Sequence, residues 1–436
     1  MTASTEHSAA SKREIVSWAF FDFANSSFTT VIITVVYALY FKGVVAAPPE
    51  TLGEIMDGSL DSLISGYAAQ LGEGGAFLWS VALALSNVFI IFTAPLIGAA
   101  ADRRGRKKRY LFISYLCCSL ATAGLFFAGS GDVTLALLMF MVANIAFASG
   151  ENLVAGFLPE LATPENMSRV SALGWGIGYL GGLAALAMVL PLAQGGSDFQ
   201  LRSICLVVAG FFLIAGLPTF LFVRERAVDR GPLPRSSFDL AMDQVKETWH
   251  ARRRHPDLFR FLFALLFFSI GVYGVIGQAA LYAESLFGLA RESIILIFMA
   301  SQIAAAVGAL ASGKLGDRFG SQKVLGATLI LWIITGLIAL LASSPGAYWV
   351  IAMTAGFAMG ATLSIARAIV GRLTPAGQSA ETFGYWGLFG RLAACLAPAG
   401  NAVAIFFTGS LRTGIAYFTL SFAIGFLLLF RVKTKL

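Results

Sequence analysis

The sequence predicts an all-α membrane protein of twelve transmembrane helices in two six-helix bundles. Three observations predict it. Hydrophobic residues fill 57% of 436 positions, charged residues only 13%, and mean hydropathy is +0.78; a soluble chain carries roughly a quarter of its residues as Asp, Glu, Lys and Arg. Apolar runs recur at lengths far beyond a barrel strand. Because lipid offers backbone groups no partner, such runs cross as helices. Finally, a GxxxDRxG turn occurs twice. Gly98, Asp102, Arg103, Gly105, Arg106 and Lys107 close one apolar run, and Gly313, Asp317, Arg318, Gly320 and Lys323 close another 215 residues later. One helix-turn-helix solution used twice implies tandem duplication of a membrane unit.

A window of about 19 residues marks spans 1 to 6 at 15–41, 77–101, 110–129, 133–158, 169–192 and 203–223. Spans 7 to 12 follow at 259–286, 292–312, 323–343, 347–371, 382–407 and 413–430. A second repeat supports six plus six: Pro164 and Trp175 recur as Pro375 and Trp386, each 211 residues on. The expected organisation is an N-terminal bundle over 1–223, a linker over 224–258 and a C-terminal bundle over 259–436. Within the linker, Phe238, Met242, Val245 and Trp249 share one face opposite Asp239, Asp243, Lys246 and Glu247. That pattern predicts a short amphipathic helix on the membrane surface or a solvated linker helix. The loop after span 1 is acidic, with Glu50, Glu54, Asp57, Asp61 and Glu73, and carries no assigned chemistry.

Basic residues orient the chain. With alternate loops on opposite sides, the side holding both termini receives 25 of the 31 Lys and Arg, the other side receives four (Lys42, Arg202, Arg291, Arg412), and Arg367 and Arg391 lie within spans. Both termini are therefore expected in the cytoplasm, with a bacterial inner membrane as the setting. The net charge of +7 follows this topology and does not indicate a nucleic-acid partner. Cys117, Cys118, Cys205 and Cys395 all lie in apolar segments without ligand spacing, so neither metal nor disulfide framework is expected. Residues before Ile15 lack the apolar core of a cleavable signal, and span 1 is read as a signal anchor. No cofactor fingerprint stands in a usable context. Gly176 to Gly181 spells GxGxxG, but without a preceding strand and inside a span.

Twelve spans in two halves, with GxxxDRxGRK between spans 2 and 3 and a weaker copy between 8 and 9, resemble the major facilitator superfamily over essentially the whole chain. More narrowly, Trp18, Asp22 to Ser26, Leu158-Pro159-Glu160, Val170-Ser171-Ala172 and Gly178 to Gly182 are similar to the vacuole-effluxer-like branch, which includes yeast autophagy-related amino-acid effluxers. The resemblance implies alternating access by rocking of the halves, with spans 1, 4, 7 and 10 around a central cavity. It also implies a conformational lock from Asp102 and Arg103, with Asp102 facing the start of span 11 near Gln378 and Ser379. A carboxylate is favoured at a helix start. In the second copy Ser321 and Gln322 replace the basic pair, so a weaker lock is expected there. The alternative is that both loops only set topology. The superfamily further implies that spans 5 and 8 meet between the halves, and Gly174, Gly178 and Gly182 at four-residue steps suit a close sliding contact there.

Four ionisable residues fall inside spans: Asp22, Glu151, Arg367 and Arg391. Each costs about 2.5 to 3.5 kcal/mol at a helix centre, so they face a wet cavity or one another. The carboxylates belong to the first half and the guanidinium groups to the second. Asn25 shares a stripe with Asp22. Such a cavity suits a zwitterion, its ammonium held by Asp22 or Glu151 and its carboxylate by Arg367 or Arg391. The competing reading is a gate in which the four pair without touching substrate. A coupling proton on a carboxylate stays open. Tyr273, Trp175, Tyr179 and Gln278 are further candidates to line the cavity, Gln278 because a buried amide needs partners.

The sequence thus predicts a monomeric secondary active transporter, not an enzyme, that moves a small polar solute such as an amino acid, in the export direction. Its other partner is the lipid bilayer. The rival readings are a non-transporting sensor or chaperone on the same scaffold, and an exporter of lipid or hydrophobic compounds.

Overall fold

A computed structural model of the protein describes residues 10–46, 74–226, 229 and 252–433. The acidic loop after span 1 and the amphipathic stretch of the linker lie outside the described residues. Among the described residues twelve apolar helices are long enough to cross a membrane: spans 1 to 6 are Lys12–Val45, Phe77–Arg103, Lys107–Phe127, Val133–Leu161, Met167–Gly195 and Asp198–Phe222. Spans 7 to 12 are Pro256–Phe287, Ser293–Phe319, Ser321–Leu341, Pro345–Leu373, Ser379–Thr408 and Leu411–Leu429.

Local chemistry sets their ends. Ser11 and Glu14 form a capping box at the start of span 1, and Ser197 and Gln200 form another at span 6. Spans 5, 7 and 11 stop at Gly196, Gly288 and Gly409, all at positive φ. Span 1 departs from a regular helix. It is α-helical over Lys12–Ser27, then π-helical over Phe28–Val35 and again over Phe41–Val45. Residues 29–36 are all Thr, Val or Ile, whose branched Cβ slightly lowers helix propensity.

The two halves pack by one plan. In the first, span 1 packs on 5 and 6, span 4 on 2 and 3, and span 6 on 3 and 5. In the second, span 7 packs on 11 and 12, span 10 on 8 and 9, and span 12 on 9 and 11. Adding six to each label converts one map into the other, which gives the two six-helix bundles of the predicted fold class. Between the halves, span 2 lies along 11, span 5 along 8 and 10, and span 4 against 11. Large apolar side chains such as Leu120, Ile214, Leu341 and Phe406 remain exposed on the periphery, where a bilayer would cover them.

Candidate functional site

The GxxxDRxG copies take their meaning from what they touch. In the first, a Cβ on Gly98 would collide with the Ala380 carbonyl of span 11, and one on Gly384 would come to 2.7 Å from the Ala94 carbonyl, so the two backbones meet directly. One turn on, the Asp102 carboxylate accepts from the Glu381 amide at 2.8 Å, at the start of span 11. Lys107, fully buried, lies 3.7 Å from Asp102, bonds Ser379 Oγ at 2.7 Å and is paired with Glu160. Gly105, at φ +57°, makes the turn that brings Lys107 back to Asp102.

The second copy repeats this with different parts. Gly313 meets Ala172 and the Ser168 carbonyl of span 5. Asp317 accepts from the Ser168 and Arg169 amides at 2.9 and 3.2 Å, and Gly320 turns at φ +94°. Arg372, in the last turn of span 10, pairs with Asp317 at 3.2 Å, bonds Ser321 and donates to the Pro164 carbonyl at 3.0 Å. The expectation of a weaker second lock therefore fails at the level of contacts: the cation absent from the motif is supplied by the end of another helix. Arg103 and Arg318 also depart from expectation, since both are exposed; Lys107 engages Asp102, while Arg372 and Arg169, at 3.2 and 3.3 Å, engage Asp317. Arg106 is exposed and pairs only loosely with Asp229, at 3.8 Å.

Deeper in, two ion pairs join the bundles. Arg367 Nη1 donates to Asp22 at 2.7 Å, and Arg391 Nη2 to Glu151 at 3.1 Å. The Arg367 side chain is 3% exposed and its guanidinium sits 4.9 Å from the Trp18 ring and 5.3 Å from the Trp175 ring. It also donates to Ser171 Oγ at 3.1 Å and to the Ser171 carbonyl at 2.8 Å. The second pair is wetter, with Glu151 28% exposed. Arg391 lies 5.9 Å from the Phe147 ring, and the Tyr273 hydroxyl approaches the backbone one residue before it, at Gly390.

Around these pairs are buried polar atoms with no hydrogen-bond partner: Asn25 Oδ1, Asn152 Nδ2, Trp175 Nε1 and Tyr179 Oη. All four belong to the first bundle. An orphan of this kind costs about 1 to 3 kcal/mol unless a water or a solute meets it. Gln278 is half-buried on span 7, and among the described residues no hydrogen bond joins it to either pair.

The glycine seam of span 5 is corrected by the structure. Cβ atoms on Gly174, Gly178 and Gly182 would meet Asp22 and Arg367, Ser26, and Thr30 respectively, so this row faces span 1 inside its own bundle. Spans 5 and 8 do meet, through Gly176 against Leu310 and Gly313 against Ala172. The seam lets span 1 approach closely enough to deliver Asp22, and four-residue spacing alone does not tell which neighbour uses it.

Trp18, Glu160, Ser171 and Arg372 were assigned no role from sequence. The first three lay within quoted motifs, and Arg372 counted only toward topology. Their partners come from other helices, which no local pattern signals.

The bonds joining the halves thus cluster at the end that carries the termini. At the far end each bundle is tied to itself: the Tyr40 hydroxyl bonds Asp198 at 2.5 Å, and Arg412 reaches the Ala342 carbonyl at 3.0 Å. A model of proteins described as vacuole effluxer Atg22 like matches residues 10–435. The chain belongs to that family. The Atg22-like chain is 26% identical over 426 residues to the MFS-type transporter YxiO of Bacillus subtilis, covering 95% of this chain and 93% of that protein. It is 30% identical over 340 residues to the multidrug resistance protein MdtG of Dickeya zeae, covering 72% and 76%. To autophagy-related protein 22 of Cryptococcus neoformans it is 25% identical over 295 residues, covering 62% of this chain and 53% of that one. Among solved structures, the human organic anion transporter MFSD10 superposes with a TM-score of 0.76 at 17% identity, covering 96% and 99%. The proton:xylose symporter XylE follows at 0.71 and 12%, covering 97% and 96%. At these identities the likeness is one of fold. The Atg22-like chain is a multi-pass membrane transporter of the major facilitator superfamily, and its relatives are transporters rather than enzymes.

Proposed function

We propose that the protein exports a small zwitterionic solute, such as an amino acid, by alternating access, and that this structure is its outward-facing state. The observation that carries the reading is the pair of ion pairs, Asp22 with Arg367 and Glu151 with Arg391, each contributed by both bundles. A solute with an ammonium and a carboxylate presents the same two charges. Inserted between the partners, it replaces a direct pair with a bridged one, and binding energy becomes differential between conformations. Residues 1–223 and 259–436 act as the rocking bodies, with 224–258 between them. The bias of basic residues toward the terminal side supports a cytoplasmic position for the closed end. The effluxer description of the family and the multidrug-resistance name of MdtG support export. A gradient of protons or of a second solute drives the cycle, and the monomer is the working unit.

The test is counterflow in proteoliposomes preloaded with amino acids. Labelled amino acid should accumulate with wild type and not with Asp22→Asn or Arg367→Gln. Undiminished flux in both variants removes the solute from these residues, and no flux of any solute with wild type favours a sensor or chaperone.

A second reading is favoured by the fact that each charge already has its partner: the pairs form a gate alone. The swap Asp22→Arg with Arg367→Asp separates the two. It restores transport if only the pair matters and leaves it abolished if each charge meets its own end of the solute.

A further inference from the structure

Where spans 3 and 6 reach the terminal end, the structure holds an open surface pocket of about 400 Å³, apart from the ion pairs that join the bundles. Arg106, Lys108 and Arg109 line it together with Phe112, Phe220 and Glu225. We infer that this cavity binds the headgroup of an acidic phospholipid.

Three features carry this. The first is charge. Glu225 is taken up by the Lys108 amide at 2.7 Å, and the Lys108 ammonium spends one of its three donors on the Val223 carbonyl. Arg109 is exposed and has no carboxylate partner among the described residues. Arg106 is also 3.8 Å from Asp229, so three cations stand against two carboxylates and the site keeps a surplus of one positive charge. The second is position. Span 3 begins at Lys107 and span 6 ends at Phe222, so the cavity stands at headgroup level. The third is the floor. Phe112 and Phe220 meet edge to face at 5.2 Å, and Phe112 remains 41% exposed on the outer surface, where an acyl chain would lie. A soluble anion needs only the arginines. Cations lining the same pocket as two aromatic rings, one of them exposed, fit a molecule with a phosphate at one end and hydrocarbon at the other.

The site also borders the first lock, since Gly105 and Arg106 belong to both. A headgroup held there bridges span 3 to the chain leaving span 6, within one bundle.

Native mass spectrometry of the delipidated full chain tests the assignment by titration with phosphatidylglycerol and, separately, phosphatidylcholine. The acidic lipid should be retained about tenfold more tightly. Arg106→Gln with Arg109→Gln should remove that preference, while Lys314→Gln with Lys323→Gln, which removes as much charge from exposed positions at the same end, should keep it. Should the double variant fail to fold, Arg109→Gln alone should still weaken phosphatidylglycerol binding severalfold. Equal retention of the two lipids, an undiminished preference in the arginine variants, or an equal loss in the lysine control overturns the inference. So does thermal protection by inorganic phosphate that matches the lipid's, which would make this a site for free anions.

Discussion

Asp22 and Arg367 stand 345 positions apart in the chain and 2.7 Å apart in the fold, with the Arg367 guanidinium also between the rings of Trp18 and Trp175. Each needs the other to be tolerated in an apolar environment, and only the closed terminal end provides the partner.

Asp22→Asn should therefore destabilise the closed state. Removing one member of a buried pair costs about 3 to 5 kcal/mol, which is enough to invert a two-state equilibrium. Spin labels at the exposed positions Arg104 and Ala376, on opposite bundles at this end, should report a longer distance in the variant than in wild type. An unchanged distance would mean that the pair does not hold this end shut.

Arg367→Lys should fail to substitute. An ammonium keeps the charge but loses the delocalised plane that lies near the Trp18 and Trp175 rings and the fork that reaches both Asp22 and Ser171. Transport should fall at least tenfold, with thermal stability lowered by a few degrees. Wild-type flux would show that charge alone suffices.

The second lock should matter as much as the first. The Asp317 carboxylate is 2% exposed and serves two amides and two arginines. Asp317→Asn should shift the same label distance by at least as much as Asp102→Asn, each losing about 1 to 3 kcal/mol of hydrogen bonding. A clearly smaller effect would return the weaker lock that the motif's missing basic pair suggests.

Gly98→Ala should hold spans 2 and 11 apart, because its methyl would meet the Ala380 carbonyl, which is backbone and cannot swing away. The closed state and transport should both suffer. Gly210→Ala, at a helix position with nothing within 4 Å, is the control and should be neutral or slightly stabilising. Equal behaviour of the two would contradict the close approach.

Much of this was legible in the chain. The duplicated turn pointed to one helix-turn-helix solution used twice, and Asp102 lies at the start of span 11; that Gly98 serves a close contact and Gly105 a positive φ came only from the structure. The four embedded charges were recognisable because their cost in lipid demands a partner. Arg372 was not recognisable as a partner of Asp317, since it comes from the last turn of span 10, two helices further along the chain. The orientation of Gly174, Gly178 and Gly182 was likewise hidden: a row of small residues records that some helix comes near, and its azimuth in the bundle decides which one.

By itself, then, the sequence determined the helices, their number, their duplication and which residues cannot be left to lipid, because those follow from hydropathy, length and the energy of burying charge. Only the tertiary structure decided who pairs with whom. That choice depends on how helices rotate and tilt against one another, which is settled by side chains distant in the chain packing together, and on which end of the bundle is closed when they do.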